Sequence, residues 1–269
     1  MKNRISFNCS NLVATQTGHR PANRWEQCVE DVSAFYAPAV TFPERFGRMV
    51  ADIKALGFDA LDIWTPGQLN WRWTTSEHIA AANRILDQNQ MAVTSLGGDF
   101  GETREEFLAA CELANGLGVD LLSGGCPLFF TDRAFVVDAL QQYDLRLSIE
   151  NHPETTAQET LDEIGTDHPG RIGTTVDTGW YATRGFDVVR AITELGCRIM
   201  HVHLKNVLPG EEHLNVGYTQ GCVPMEECVR TLKRIGYAGD CSMEDHAIDH
   251  DPTQEIIEAR GLLQRWLSE

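Results

Sequence analysis

FPERFGRMVADIKALGFDALDIW, residues 42–64, changes its hydrophobic period part-way along. Phe46, Met49, Val50, Ile53 and Leu56 recur at three- and four-residue spacing, which lays one apolar face along a helix. Gly57 closes that helix, because a left-handed C-cap costs least in a residue without Cβ. FDALDIW (58–64) then reads as a strand. Working outward, RISFN (4–8) precedes this pair and the helical TSEHIAAANRILDQN (75–89) follows it. MAVTSLG (91–97), VDLLSGG (119–125), LRLSIEN (145–151), IGTTVDT (172–178), RIMHVHL (198–204) and DCSMED (240–245) bring the strand candidates to eight. Met225, Cys228, Val229, Leu232 and Ile235 mark another amphipathic helix, and Gly118, Gly196 and Gly236 are expected as further left-handed helix ends.

Alternating strands and helices specify a parallel sheet. Eight such units without a linker predict a single (β/α)8 TIM barrel spanning residues 1–269, and the length fits the roughly 250 residues such a barrel needs. An open doubly wound sheet is the runner-up, but the chain has neither GxGxxG nor GxxxxGK[ST]. Two stretches exceed a simple turn, about 9–41 and 206–222. Both follow a strand, so they are expected at the C-terminal face as long active-site loops.

Composition narrows the class. Hydrophobic residues make up 42% and charged residues 23%, and no apolar run approaches the roughly 20 residues that span a bilayer. The amino-terminal segment lacks a signal-peptide apolar stretch. Eight scattered cysteines form no CxxC pair, and Cys111, Cys197, Cys228 and Cys241 fall inside apolar segments, which favours reduced core thiols and a cytoplasmic protein. A net charge of −17 disfavours nucleic acid and membrane surfaces as partners and suits a small, sugar-like substrate.

In strand five Glu150 shares its face with Ser148, in six Asp177 with Thr175, in seven His203 with His201 and Lys205, and in eight Glu244 with Ser242. The apolar parity faces the helices, so these polar sets point into the barrel, with their last members at the C-terminal mouth. Glu150, Asp177 and His203 are 27 and 26 residues apart, about one unit each, and Glu244 follows 41 later, beyond the second long loop. Three carboxylates converging at one mouth repel one another unless a divalent cation neutralises them. Three oxygen donors and one nitrogen favour Mn²⁺, with Mg²⁺ or Co²⁺ next and Zn²⁺ less favoured.

The segments IENH (149–152), VDTGW (176–180), HVHLKN (201–206) and GYAGDCSMED (236–245) resemble the xylose isomerase-like TIM-barrel superfamily of sugar phosphate isomerases and epimerases. The resemblance covers most of the chain and is weak before Phe42. It implies that Glu150, Asp177, His203 and Glu244 ligate one divalent metal and that Glu150 and Glu244 also exchange protons with substrate.

Such a site can chelate a hydroxyl and an adjacent carbonyl, acidify the neighbouring C–H and support an enediolate. Proton return to the same carbon on the opposite face epimerises; return to the adjacent carbon isomerises. The expected function is therefore a metal-dependent isomerase or epimerase of a small ketose or keto-sugar. A lyase with the same site, a dehydratase or a C-glycoside-cleaving enzyme, is the alternative. Endonuclease IV-like DNA repair is less favoured, since Trp180 stands where that subfamily has a histidine and the chain is acidic. A barrel that merely binds a ligand would have no need of paired bases.

His152, Lys205 and His246 lie one layer nearer solvent and are expected to bind substrate, as are Trp64 and Trp180 through stacking on sugar C–H faces. Hydrogen bonding that orients a metal ligand is the competing role for His152 and His246, and rim packing is the competing role for the tryptophans. His201, one layer deeper, is expected in the core. His19, Arg20 and Trp25 of the first loop are candidates to close over substrate. Barrels of this kind often assemble, which points to a homodimer or homotetramer.

Overall fold

The computed structural model describes residues 3–20, 25–210 and 212–269. Residues 1–2, 21–24 of the first expected loop and 211 of the second lie outside the described residues. Strand β1 (Ile5–Asn8) leads through two short 3-10 turns to helix α1 (Trp25–Tyr36) and then α2 (Phe42–Ala55). The units continue with β2 (Ala60–Trp64), α3 (Ser76–Gln88), β3 (Ala92–Asp99), α4 (Arg104–Leu117), β4 (Leu121–Gly125), α5 (Pro127–Thr131) and α6 (Arg133–Gln142). Next come β5 (Arg146–Glu150), α7 (Ala157–Ile164), β6 (Ile172–Asp177), α8 (Thr178–Thr183) and α9 (Val188–Leu195). The chain ends through β7 (Ile199–Leu204), α10 (Met225–Arg234), β8 (Cys241–Met243) and α11 (Thr253–Ser268).

All eight strands pair in parallel and in sequence order, and β8 closes on β1 through Ile5–Cys241 and Phe7–Met243. The apolar parity packs outward: Leu147, Ile149, Val176, Val202, Leu204, Cys241 and Met243 are buried against the helices. On α2 the expected stripe Phe46, Met49, Val50 and Ile53 is buried, so burial of one helical face and not helix propensity holds this layer.

The barrel interior departs from the branched aliphatic filling usual for the fold. Ser95, Ser123, Ser148, Thr175, His201 and Ser242 occupy it, all buried. Such groups stay buried only if paired, and Thr175 Oγ1 bridges Ser123 Oγ at 2.7 Å and Ser148 Oγ at 2.8 Å.

Three sequence expectations change. The 9–41 stretch carries helix α1, because Cys28, Val32 and Tyr36 give it a buried face. Cys197 is exposed in the 3-10 turn after α9, while Cys111, Cys228 and Cys241 are buried; all eight cysteines are free thiols. Gly118 caps α4 in the left-handed well (φ 68, ψ 29), but Gly196, at φ 52 and ψ −126, lies outside it because the chain tightens into a 3-10 turn. Among the described residues no helix is long and apolar enough to cross a membrane.

Candidate metal centre

Side chains from neighbouring strands and turns fix the polar ends of β6, β7 and β8. Asn151, next to Glu150, accepts the Asp177 backbone N–H at 2.7 Å and donates to the Asp177 carbonyl at 3.1 Å. Asp177 Oδ1 caps helix α8 by accepting the N–H groups of Gly179 (2.7 Å) and Trp180 (3.1 Å), which leaves Oδ2 facing the mouth. Thr178 accepts from the Lys205 N–H at 2.9 Å and donates to its carbonyl at 2.7 Å. Asn11, in the turn after β1, donates to the Met243 carbonyl (3.1 Å) and accepts from the Asp245 N–H (2.7 Å), so it brackets Glu244 on both sides. Buried bonds of this kind contribute about 1 kcal/mol each in net terms; here they set the geometry of a site.

The strand register carries the convergence. Asp177 lies directly opposite His203, while Glu150 lies opposite Thr175 and His203 opposite Ser242, so Glu150 and Glu244 reach the Asp177–His203 pair from neighbouring rungs of the barrel. One ligand atom from each of Glu150, Asp177, His203 and Glu244 falls within 4.8 Å of all the others, a group that could hold a metal ion. Asp62, His201 and His203 form a second such group deeper in the barrel. His203 Nδ1 lies 2.6 Å from Glu150 Oε1 and 3.0 Å from Glu244 Oε2. The latter contact lacks hydrogen-bond geometry, and Glu244 Oε2 is a buried oxygen without a hydrogen-bond partner among the described residues.

Two cations offset the acids. Lys205 Nζ bonds Asp177 Oδ2 at 2.8 Å and Glu244 Oε1 at 2.9 Å, with its side chain only 2% exposed. Burial alone would depress its pKa, but Asp177, Glu244 and Glu150 raise it above the ordinary lysine value. Gly179 makes room, since a Cβ there would stand 2.9 Å from Lys205 Cδ. The His203 pKa is likewise raised well above normal: burial opposes the shift, and Glu244, Glu150 and Asp62 overcome it. Burial would raise the Glu244 carboxyl, yet His246, Lys205 and His203 hold it well below the usual carboxylate range.

His246 donates or accepts at Ser10 Oγ (2.7 Å) and lies 2.5 Å from Glu244 Oε1. Trp25 packs beside it, tilted, at 4.8 Å and meets Trp64 edge-on at 5.8 Å, so this first-loop residue reaches the site. Arg20 is exposed, and His19 instead lines a cleft with Arg48, Asp52 and Asp251. On the opposite wall Trp180 packs against exposed His152 at 4.1 Å and stacks on His213 at 3.7 Å. His201 is buried at 1% exposure and bonds Asp62 Oδ2 at 3.0 Å.

Two residues escaped the sequence reading. His213, in the second long loop, is held by Thr183 Oγ1 at 2.8 Å; burial, with Lys205 nearby, pushes its pKa down to about 4 and keeps it neutral. Asp62, two residues before Trp64 on β2, bonds both histidines of β7.

A model of the xylose isomerase-like TIM barrel matches residues 50–266. The chain belongs to that family. Several solved structures share its fold. The IolI protein, crystallised with a binding zinc atom, superposes with a TM-score of 0.70 at 15% identity, over 100% of this chain and 98% of that one. A D-tagatose 3-epimerase-like protein matches at 0.67 and 20% identity over 81% and 91% of the two chains. The 3-keto-D-glucoside 4-epimerase YcjR of E. coli matches at 0.66 and 14% identity over 98% and 100%. At such identities the likeness establishes the family's fold and no particular reaction. No curated protein sequence matches the chain.

Proposed function

We propose that this member of the family is a divalent-metal-dependent isomerase or epimerase acting on a small ketose or keto-sugar. The observation that carries the reading is the quartet Glu150, Asp177, His203 and Glu244, four potential ligand atoms within 4.8 Å of one another, together with a buried Glu244 oxygen that has no hydrogen-bond partner among the described residues. This donor set fits a divalent ion and favours Mn²⁺ over the softer choices. The zinc atom named for IolI and the sugar substrates named for the two epimerases support the same direction.

When bound, the ion supplies Lewis acidity that polarises a substrate carbonyl and acidifies the adjacent C–H. The protein supplies the proton transfers. Glu150 and Glu244 sit on β5 and at the end of β8, on two sides of His203, so one can take the proton from carbon while the other returns one. His246, between Glu244 and Ser10, can pass protons between the carboxylate and the mouth. Trp180, His152 and His213 form one wall and Trp25 and Trp64 another, flat faces suited to sugar C–H surfaces. The net charge of −17 favours a neutral polyol or keto-glycoside over a phosphorylated sugar.

The test is incubation of the metal-loaded protein with a panel of ketoses and keto-glycosides, with product masses measured. Products of unchanged mass support the proposal. Loss of water or of an aglycone would assign the site to a lyase instead.

A further inference from the structure

We infer that Asp62 is a positioning residue that decides which nitrogen of His203 faces the three carboxylates of the quartet. The inference rests on the proposed metal set and concerns a residue outside it. Asp62 lies on β2, is 0% exposed, and reaches across the barrel to β7. Its Oδ2 lies 3.1 Å from His203 Nε2 and 3.0 Å from His201 Nε2, and it accepts from Ser242 Oγ at 2.8 Å and from Asn8 Nδ2 at 3.4 Å.

An ionised carboxylate can only accept, so a hydrogen bond to it requires the hydrogen on His203 Nε2. With Nε2–H engaged, the ring turns Nδ1 toward Glu150 and Glu244, at 2.6 and 3.0 Å. This is the nitrogen a metal in the quartet would take. The β3 backbone accommodates the arrangement through Gly97, where a Cβ would crowd Asp62 Oδ1 at 3.3 Å.

Asp62, His201 and His203 are close enough to hold an ion of their own. Two further donors, the Ser242 hydroxyl and the Asn8 amide, converge on the same Oδ2, which marks that oxygen as a hydrogen-bond acceptor. Groups that orient a metal-bound histidine in this way are typically worth ~10–100-fold in metal affinity.

Two measurements on the full chain test the assignment. In Zn²⁺-loaded wild type, long-range ¹⁵N NMR of the histidine rings is expected to show His203 with hydrogen on Nε2 and metal on Nδ1. Asp62→Asn keeps the volume but offers an amide in place of the anion, and calorimetric titration with Mn²⁺ is expected to show ~10–100-fold weaker binding in a folded variant. A merely structural aspartate would lower thermal stability and leave metal affinity alone. Metal on Nε2 in the wild type overturns the inference whether or not the variant folds. So does a folded Asp62→Asn that binds Mn²⁺ within about twofold of wild type. A wild type that binds no divalent ion overturns the quartet and the Asp62 role together, whereas the other two outcomes remove the Asp62 role alone.

Discussion

Replacing Lys205 by methionine should tighten metal binding while loosening the metal-free protein. The ammonium lies 2.8 Å from Asp177 Oδ2 and 2.9 Å from Glu244 Oε1, so it occupies lone pairs that a metal would need. A dication bound to those oxygens with Lys205 left in place would stand roughly 4 Å from the ammonium. At an effective dielectric of about 20 that repulsion is ~8 kcal/mol, twice the value for unit charges. Lys205 avoids it by withdrawing, at the cost of two charge-assisted bonds of roughly 1.5–3 kcal/mol each. Lys205→Met removes this competition. Even partial relief of about 2 kcal/mol gives a ~30-fold lower dissociation constant.

The same change strands buried carboxylates, and breaking a buried ion pair by deleting one partner typically costs about 3–5 kcal/mol. The metal-free variant should therefore melt roughly 10 °C lower, and saturating Mn²⁺ should raise its melting temperature by more than it raises that of wild type. Calorimetric titration and melting curves with and without Mn²⁺ read both effects. A folded Lys205→Met protein that binds metal no better than wild type would refute the view that Lys205 and the ion compete for the same oxygens.

Glu150→Gln and Glu244→Gln should each lower turnover on the substrate identified by the mass screen by at least about a hundredfold, the scale of a lost general acid or base; steady-state kinetics at saturating metal decides this. His213→Ala removes the ring stacked on Trp180 and should raise KM several-fold more than it lowers kcat, since His213 touches the wall and none of the four candidate ligands. Glu163, beside Glu154, is pushed up to about 8, first by burial and then by its carboxylate neighbour. Its folded form keeps a proton that the unfolded chain releases near 4.5, so stability falls as pH rises from about 4.5 to 8. Because the group is half exposed, a discounted 1–2 kcal/mol is expected: Glu163→Gln should melt about 2–8 °C above wild type at pH 8.5 and close to it at pH 4.5.

Much of this was legible in the chain because barrel strands alternate strictly in and out. The parity that buried Leu147 and Ile149 outward had to aim Ser148 and Glu150 inward, and unit-length spacing placed Glu150, Asp177 and His203 on successive strands, with Asp177 and His203 register partners. Contacts across the barrel were invisible to that reasoning. Asp62 on β2 meets His203 on β7, 141 residues away and in a strand that is not its neighbour, so no local spacing signals the pair. Lys205 showed the same limit: its parity gave an inward face, but not that its ammonium would end on Asp177 and Glu244. The asparagines that clamp the site, Asn11 and Asn151, look like ordinary turn residues until their partners at Met243, Asp245 and Asp177 are known. Helix α1 was hidden because its buried stripe of Cys28, Val32 and Tyr36 is sparse and interleaved with polar residues.

The central claim is that two glutamates of the quartet move a proton on and off a carbon beside a metal-polarised carbonyl. The most direct measurement is turnover of an accepted keto-sugar by the Mn²⁺-loaded protein in D₂O, with the product read by NMR and mass. The account predicts solvent deuterium at the carbon that accepts the returned proton, incorporation that stops on chelation and in Glu244→Gln. Metal-dependent turnover that carries the original hydrogen into the product without exchange would contradict it.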